Sequence, residues 1–157
     1  MLCVFKDGAN TAFHESVGDC LTYGLKSAHQ DDDGGIENLL KIALARLPQI
    51  GFGLVMDLWR WYIFENEDKP ETWNEQWWKL HEELLGISPP TGYNTEGLDA
   101  TGKYHIVQNI PYIRYFLSSF LQLQFFEALC RHGGKEELRD LHECQLRGNE
   151  KAGTRLW

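Results

Sequence analysis

The sequence lacks the arrangements that would bring its metal- and redox-active residues into one recognisable centre. Its four cysteines, Cys3, Cys20, Cys130 and Cys144, form no CxxC pair, which argues against a zinc ribbon or a thioredoxin-like motif. Three His-Glu dipeptides occur, His14-Glu15, His81-Glu82 and His142-Glu143, and none has a second histidine at the fourth position. An HExxH helix is therefore absent, and residue chemistry alone gives no complete zinc site. There is no N-x-S/T site, so glycosylation gives no pointer to a compartment. No apolar run approaches the roughly 20 residues needed to cross a bilayer, and no signal peptide opens the chain. An excess of positive charge is missing too. The formal net charge of -8 argues against nucleic acid or an anionic membrane as partner.

What is present is apolar and aromatic. Hydrophobic residues make up 43% of the 157, enough for a buried core and too many for a disordered chain. Six Trp, six Tyr and eight Phe point to a large core or a cleft lined with rings. The pattern is helical throughout, and no long stretch alternates at period two, so the class is mainly α. Residues 11–28 form a first helix, with Phe13, Val17, Cys20 or Leu21, and Leu25 on one face. Residues 36–47 form a second, ended by Pro48 and Gly51, and residues 53–64 a third. Pro70 opens another that runs to about Leu85 and stops at Gly86. Asp31 to Gly35 reads as a surface turn, residues 90–102 as a loop, and the tail from Gly133 as loosely helical. Residues 111–132 are apolar on nearly every face, the pattern of a helix packed all round in a large protein. Without those neighbours an apolar face beside this helix is expected to stay open.

Few residues stand out for chemistry on spacing alone. Glu15 and Asp19 lie four apart and share a helical face, which fits a pocket or a solvated acidic surface. His105 stands near the aromatic run Tyr112-Ile113-Arg114-Tyr115, where a packed core histidine is the ordinary reading. The tryptophans Trp59, Trp61, Trp73, Trp77 and Trp78 read first as core.

Taken together and in order, these segments resemble the angiotensin-converting enzyme family of zinc peptidases. The resemblance begins with Gly8-Ala9-Asn10-Thr11-Ala12-Phe13-His14-Glu15-Ser16-Val17-Gly18-Asp19. It continues through Asp57-Leu58-Trp59-Arg60-Trp61, Trp77-Trp78, Gly86-Ile87-Ser88-Pro89-Pro90 and Lys103-Tyr104-His105. Pro111-Tyr112-Ile113-Arg114-Tyr115-Phe116 and Gln122-Leu123-Gln124-Phe125-Phe126-Glu127-Ala128-Leu129-Cys130 complete it. The resemblance implies the C-terminal part of a two-lobed, mostly helical catalytic domain with a deep central channel. The implied reaction is release of C-terminal dipeptides from peptides by a zinc-activated water.

Carried over residue by residue, Glu15 matches a zinc ligand and Asp19 an acid that orients another ligand. His105 and Tyr115 match the catalytic pair that stabilises the tetrahedral intermediate. Lys103 and Tyr112 match groups that hold the substrate's terminal carboxylate. His105 and Phe52 also line the substrate site. Arg114 and Trp77 match chloride ligands, and Cys130 pairs with Cys144 in a disulfide, which implies an extracellular setting, secreted or anchored in a longer parent chain. Cys20 is expected buried and unpaired, and Cys3 has no match. Three departures accompany these matches. HExxH is missing, so the chain alone is expected to be inactive. His81 stands where an arginine usually completes a chloride site. Gln49 and Ser119 stand where rings often line the substrate pocket. A non-catalytic member serving as a binding or chaperone-like ectodomain is the alternative, and an acidic helical interaction module a weaker one.

Overall fold

The computed structural model describes residues 8–27, 35–134 and 138–154. Cys3 and the expected turn at Asp31 to Gly34 lie outside them. The described residues form six α-helices and no strand: α1 (Thr11–Ser27), α2 (Gly35–Glu65), α3 (Trp73–Leu85), α4 (Tyr104–Val107), α5 (Ile113–His132) and α6 (Glu150–Thr154). Short 3-10 turns at Pro70–Thr72, Asp99–Gly102 and Leu138–Glu143 connect them. The mainly α expectation holds.

One boundary differs. The expected break at Pro48 is absent, and α2 runs through it for 31 residues. Pro48 has no N–H to bond the carbonyl four residues back. Leu44 and Pro48 are both exposed, so water can take that carbonyl and the helix continues. Continuity also corrects the expectation that no apolar stretch is long enough to cross a membrane. Leu39–Glu65 reaches a mean hydropathy of 1.5 and qualifies by length and composition. Core helices of water-soluble proteins pass the same test, and part of this one is core.

The chain divides into two compact units, Arg46–Phe116 and Met1–Ala45 with Leu117–Trp157. In Arg46–Phe116 the core gathers Val55, Met56, Trp59, Trp77, Leu80 and Ala100. Trp59 and Trp77 meet edge to face with ring centroids 5.7 Å apart. The Trp59 indole N–H donates to the Trp73 carbonyl at 2.8 Å, so the largest buried ring leaves no polar atom unpaired. α3 ends on Gly86 in the left-handed region (φ 66°), whose N–H returns to the helix's last turn. At Gly53 a side chain would bring Cβ within 2.9 Å of the Phe116 nitrogen, so only glycine admits the first turn of α5 this close.

In the other unit the core is Cys20, Phe126, Leu129, Cys130, Cys144 and Ala152. Of the face anticipated from hydrophobicity, α1 buries Cys20, while Phe13 and Leu21 remain partly exposed, Phe13 with its ring 5.0 Å from Phe125. Its buried ridge is the small-residue line Ala12, Ser16, Cys20 and Gly24. Small side chains let α1 approach the polar stretch of α5, where Ser118, Ser119 and Gln122 are also buried. The Ser16 hydroxyl donates to the Ala12 carbonyl and reaches the Ser118 carbonyl at 3.5 Å. Along α5 the opposite side stays open, with Leu117, Phe120 and Leu123 each nearly half exposed. α5 is thus not apolar on every face as expected, since part of its buried side is polar, while the apolar face of Leu117, Phe120 and Leu123 stays open.

Candidate functional site

Phe52, Trp77, Lys103, His105, Tyr112, Arg114 and Tyr115 all belong to Arg46–Phe116. α2 contributes Phe52 and Asp57, and α3 contributes Trp77 and His81. The loop after α3 is tied down by Asn74, which is 1% exposed. Its side chain donates to the Asn94 carbonyl at 2.9 Å and accepts the Asp99 N–H at 2.9 Å. The Trp78 indole donates to the Asp99 carboxylate at 2.7 Å. This buried amide fixes the turn Asp99–Gly102, and Lys103 leaves it in extended backbone (φ -98°, ψ 121°). α4 then carries His105 for a single turn. The chain reverses through Asn109, held at φ 51°, and the Ile110 N–H donates to the His105 carbonyl at 2.8 Å.

That reversal brings His105 onto Tyr112 and Tyr115. The His105 ring lies 4.8 Å from Tyr112 and 5.5 Å from Tyr115, near perpendicular to both. Its Nε2 is 3.3 Å from the Tyr115 hydroxyl. The Lys103 ammonium stands over Tyr112 at 5.4 Å and over Phe52 at 5.6 Å. Phe52 closes the group against Tyr112 at 5.8 Å. An ammonium on two ring faces, beside an imidazole and two phenols, is a cluster of donors on an apolar floor. It can hold a carboxylate and a developing oxyanion.

His81 sits among Trp77, Trp78 and Phe52, with ring centroids at 4.2, 5.4 and 6.1 Å. Burial lowers its pKa below the ordinary histidine value, while the contact to the Trp77 carbonyl opposes this in part. With Nδ1 2.8 Å from that carbonyl, the neutral ring donates there and carries no charge. Beside Trp77, then, stands a neutral imidazole in place of a cation. Arg114 spans the first turn of α5: its Nε donates to the Pro111 carbonyl at 3.1 Å and its guanidinium lies 5.8 Å from the Tyr115 ring.

Glu15 and Asp19 belong to the other unit, half-buried four residues apart on α1. Cys20 beside them is buried and free, its thiol pushed up to about 11 by burial first and the Asp19 charge second. Cys130 and Cys144 are joined as a disulfide. Among the described residues no three His, Cys, Asp or Glu side chains gather as a metal cage. Two carboxylates on one helix do not by themselves fit zinc, which takes three protein ligands in catalytic sites.

One part of the site was not anticipated. Asp57 and Arg60, 1% and 7% exposed, form an ion pair at 2.9 Å under the Tyr112–Tyr115 turn. The available signal was two opposite charges three apart within the aromatic stretch of α2, where an unpaired charge would be intolerable.

The chain belongs to the angiotensin-converting enzyme family, a metallopeptidase family, which it matches over residues 2–157. Similar proteins include the angiotensin-converting enzymes of Rattus norvegicus, 38% identical over 95% of this chain, and Mesocricetus auratus, 37% over 97%. That of Theromyzon tessulatum is 31% identical over 97%. The chain spans 12% of the length of the first two and 26% of the third.

Proposed function

We propose that this chain supplies the carboxylate-binding and oxyanion-stabilising part of an extracellular zinc peptidase that releases C-terminal dipeptides from peptides. The observation that carries the reading is the pairing of His105 with Tyr115 at 3.3 Å beside Lys103 and Tyr112. Lys103 takes the substrate's terminal carboxylate through a charge-assisted hydrogen bond, and the Tyr112 phenol adds a second donor. A binding point for the chain end makes the enzyme count residues from that end. Phe52 floors the pocket for the last side chain.

His105 and Tyr115 hold one another and aim donors at the oxygen that becomes an oxyanion as the peptide carbonyl turns tetrahedral. One such donor contributes about 2.7–4 kcal/mol. Zinc, when bound, supplies the activated water. Glu15 would be one of its ligands and Asp19 would orient a neighbouring ligand. HExxH does not occur in this sequence. Chloride is assigned beside Arg114, whose position next to Tyr115 lets an anion set that tyrosine's orientation. The assignment beside Trp77 is the weaker of the two, because His81 is neutral.

The test uses the 157-residue chain and a tripeptide with a free or an amidated C-terminus, titrated by tryptophan fluorescence. The free acid is expected to bind, and Lys103→Met to weaken it roughly tenfold, the loss of one charge-assisted contact. Equal binding of the amide would overturn the reading. The alternative is a peptide-binding member without catalysis, and an HExxH segment encoded upstream in the same gene would exclude it. The chain alone is expected to show neither micromolar zinc affinity nor turnover.

A further inference from the structure

We infer that Asp57, acting with Arg60 and Asn109, is the positioning residue that sets the His105–Tyr115 pair. The inference rests on the proposed role of that pair. Asp57 lies on α2, remote in sequence from α5, yet it performs the service usually given by a residue next to a helix start. One carboxylate oxygen, Oδ2, accepts the backbone N–H of Tyr112 at 2.9 Å and of Ile113 at 2.6 Å. Those N–H groups stand at the start of α5, where the helix offers them no carbonyl. A carboxylate there also meets the positive end of the helix dipole. The other oxygen, Oδ1, accepts from Arg60 Nη1 at 2.9 Å, and Arg60 Nη2 donates to the Asn109 side-chain oxygen at 2.7 Å.

The segment between His105 and Tyr115 is therefore held at two points by neighbouring turns of α2. Asn109, in the left-handed region, sets the reversal after α4. Tyr112 and Ile113 set the start of α5. His105 precedes the first point and Tyr115 follows the second by one helical turn. The 3.3 Å contact between their side chains thus depends on a loop whose ends are fixed by one carboxylate and one guanidinium. Both charges are nearly excluded from water, so their hydrogen bonds have no competing solvent partner and their geometry is well defined. Asp57 touches no reacting atom in this arrangement. Its action passes through the Tyr112 and Ile113 amides.

The experiment follows the imidazole nitrogens of His105 by NMR in the whole chain, with Tyr115→Phe marking the signal without the tyrosine hydroxyl. Asp57→Asn keeps the shape but turns an acceptor into a donor facing other donors. It is expected to move the His105 signal to its position in Tyr115→Phe and weaken tripeptide binding roughly tenfold or more. Asn109→Gly keeps the left-handed backbone without strain and removes only the acceptor for Arg60. A smaller displacement in the same direction is expected, with roughly three- to tenfold weaker binding. A folded Asp57→Asn chain with the unaltered His105 signal overturns the inference. If Asp57→Asn does not fold, an unaltered signal in Asn109→Gly overturns it instead. Identical signals in the unaltered and Tyr115→Phe chains overturn it as well. Failure of the unaltered chain to prefer a free carboxylate counts against the functional reading alone, because the His105 signal does not depend on peptide.

Discussion

The two units solve the problem of a stable interior by different means. Arg46–Phe116 buries large rings, Trp59 and Trp77, and satisfies the polar atoms among them one by one through Asn74, Asp57 and Arg60. Among its described residues the other unit has few buried rings. It relies on a small-residue ridge along α1 and on a covalent tie between Cys130 and Cys144. Aromatic burial stabilises through area and fixes geometry through hydrogen bonds, whereas a disulfide acts mainly by restricting the unfolded chain. A donor cluster needs fixed geometry, and the polar residues that could bind a chain end lie in the unit built by the first method.

Replacing Trp59 by alanine tests that difference most severely. Truncation of a fully buried tryptophan is expected to remove about 3–5 kcal/mol, together with the hydrogen bond to the Trp73 carbonyl. Urea unfolding followed by circular dichroism reads the loss. A change under about 1 kcal/mol would mean that the ring cluster does not hold this unit.

Replacing Cys130 and Cys144 together by alanine removes a bridge between residues 14 apart. A loss of about 3 kcal/mol is expected, a little less than for Trp59→Ala in the same urea assay. Hydrogen exchange is expected to show the weakest protection around Gly133 and α6. A larger loss than that of Trp59→Ala would reverse the comparison.

The smallest effect belongs to His81. Its folded pKa lies below the 6.5 of an unfolded histidine, so the unfolded chain binds the extra proton first as pH falls. The stability His81 contributes is present above about pH 6.5 and declines below it, until the folded-state ring also protonates. The slope from this one group cannot exceed about 1.4 kcal/mol per pH unit. His81→Phe, measured between pH 7 and 5, is expected to flatten the dependence of unfolding free energy on pH. An unchanged slope would show that His81 is not held neutral.

The legible features were local ones. α3 begins after Pro70 and ends at Gly86 because the proline and the left-handed glycine act on their own backbone. The buried, unpaired state of Cys20 followed from helical phase. The break expected at Pro48 did not occur, since an exposed proline takes one hydrogen bond from a helix that other contacts sustain. The expected face of α1 held at Cys20 and failed at Phe13 and Leu21 for a related reason. Hydrophobicity ranks Phe13 and Leu21 above Ser16, but two helices approach closely only along small side chains.

The sequence by itself determined the helical class and, through its ordered motifs, the family, whose resemblance singles out Lys103, His105, Tyr112 and Tyr115. These are properties of order and residue type along one strand of chain. Tertiary structure alone decided what Asp57 and Arg60 do. A carboxylate 55 and 56 residues before the amides it accepts leaves no mark in local pattern, because the pairing exists only once α2 lies beneath the start of α5. There the burial of two charges is tolerable only if every donor and acceptor is met, and the chain meets them by closing the loop that sets His105 against Tyr115.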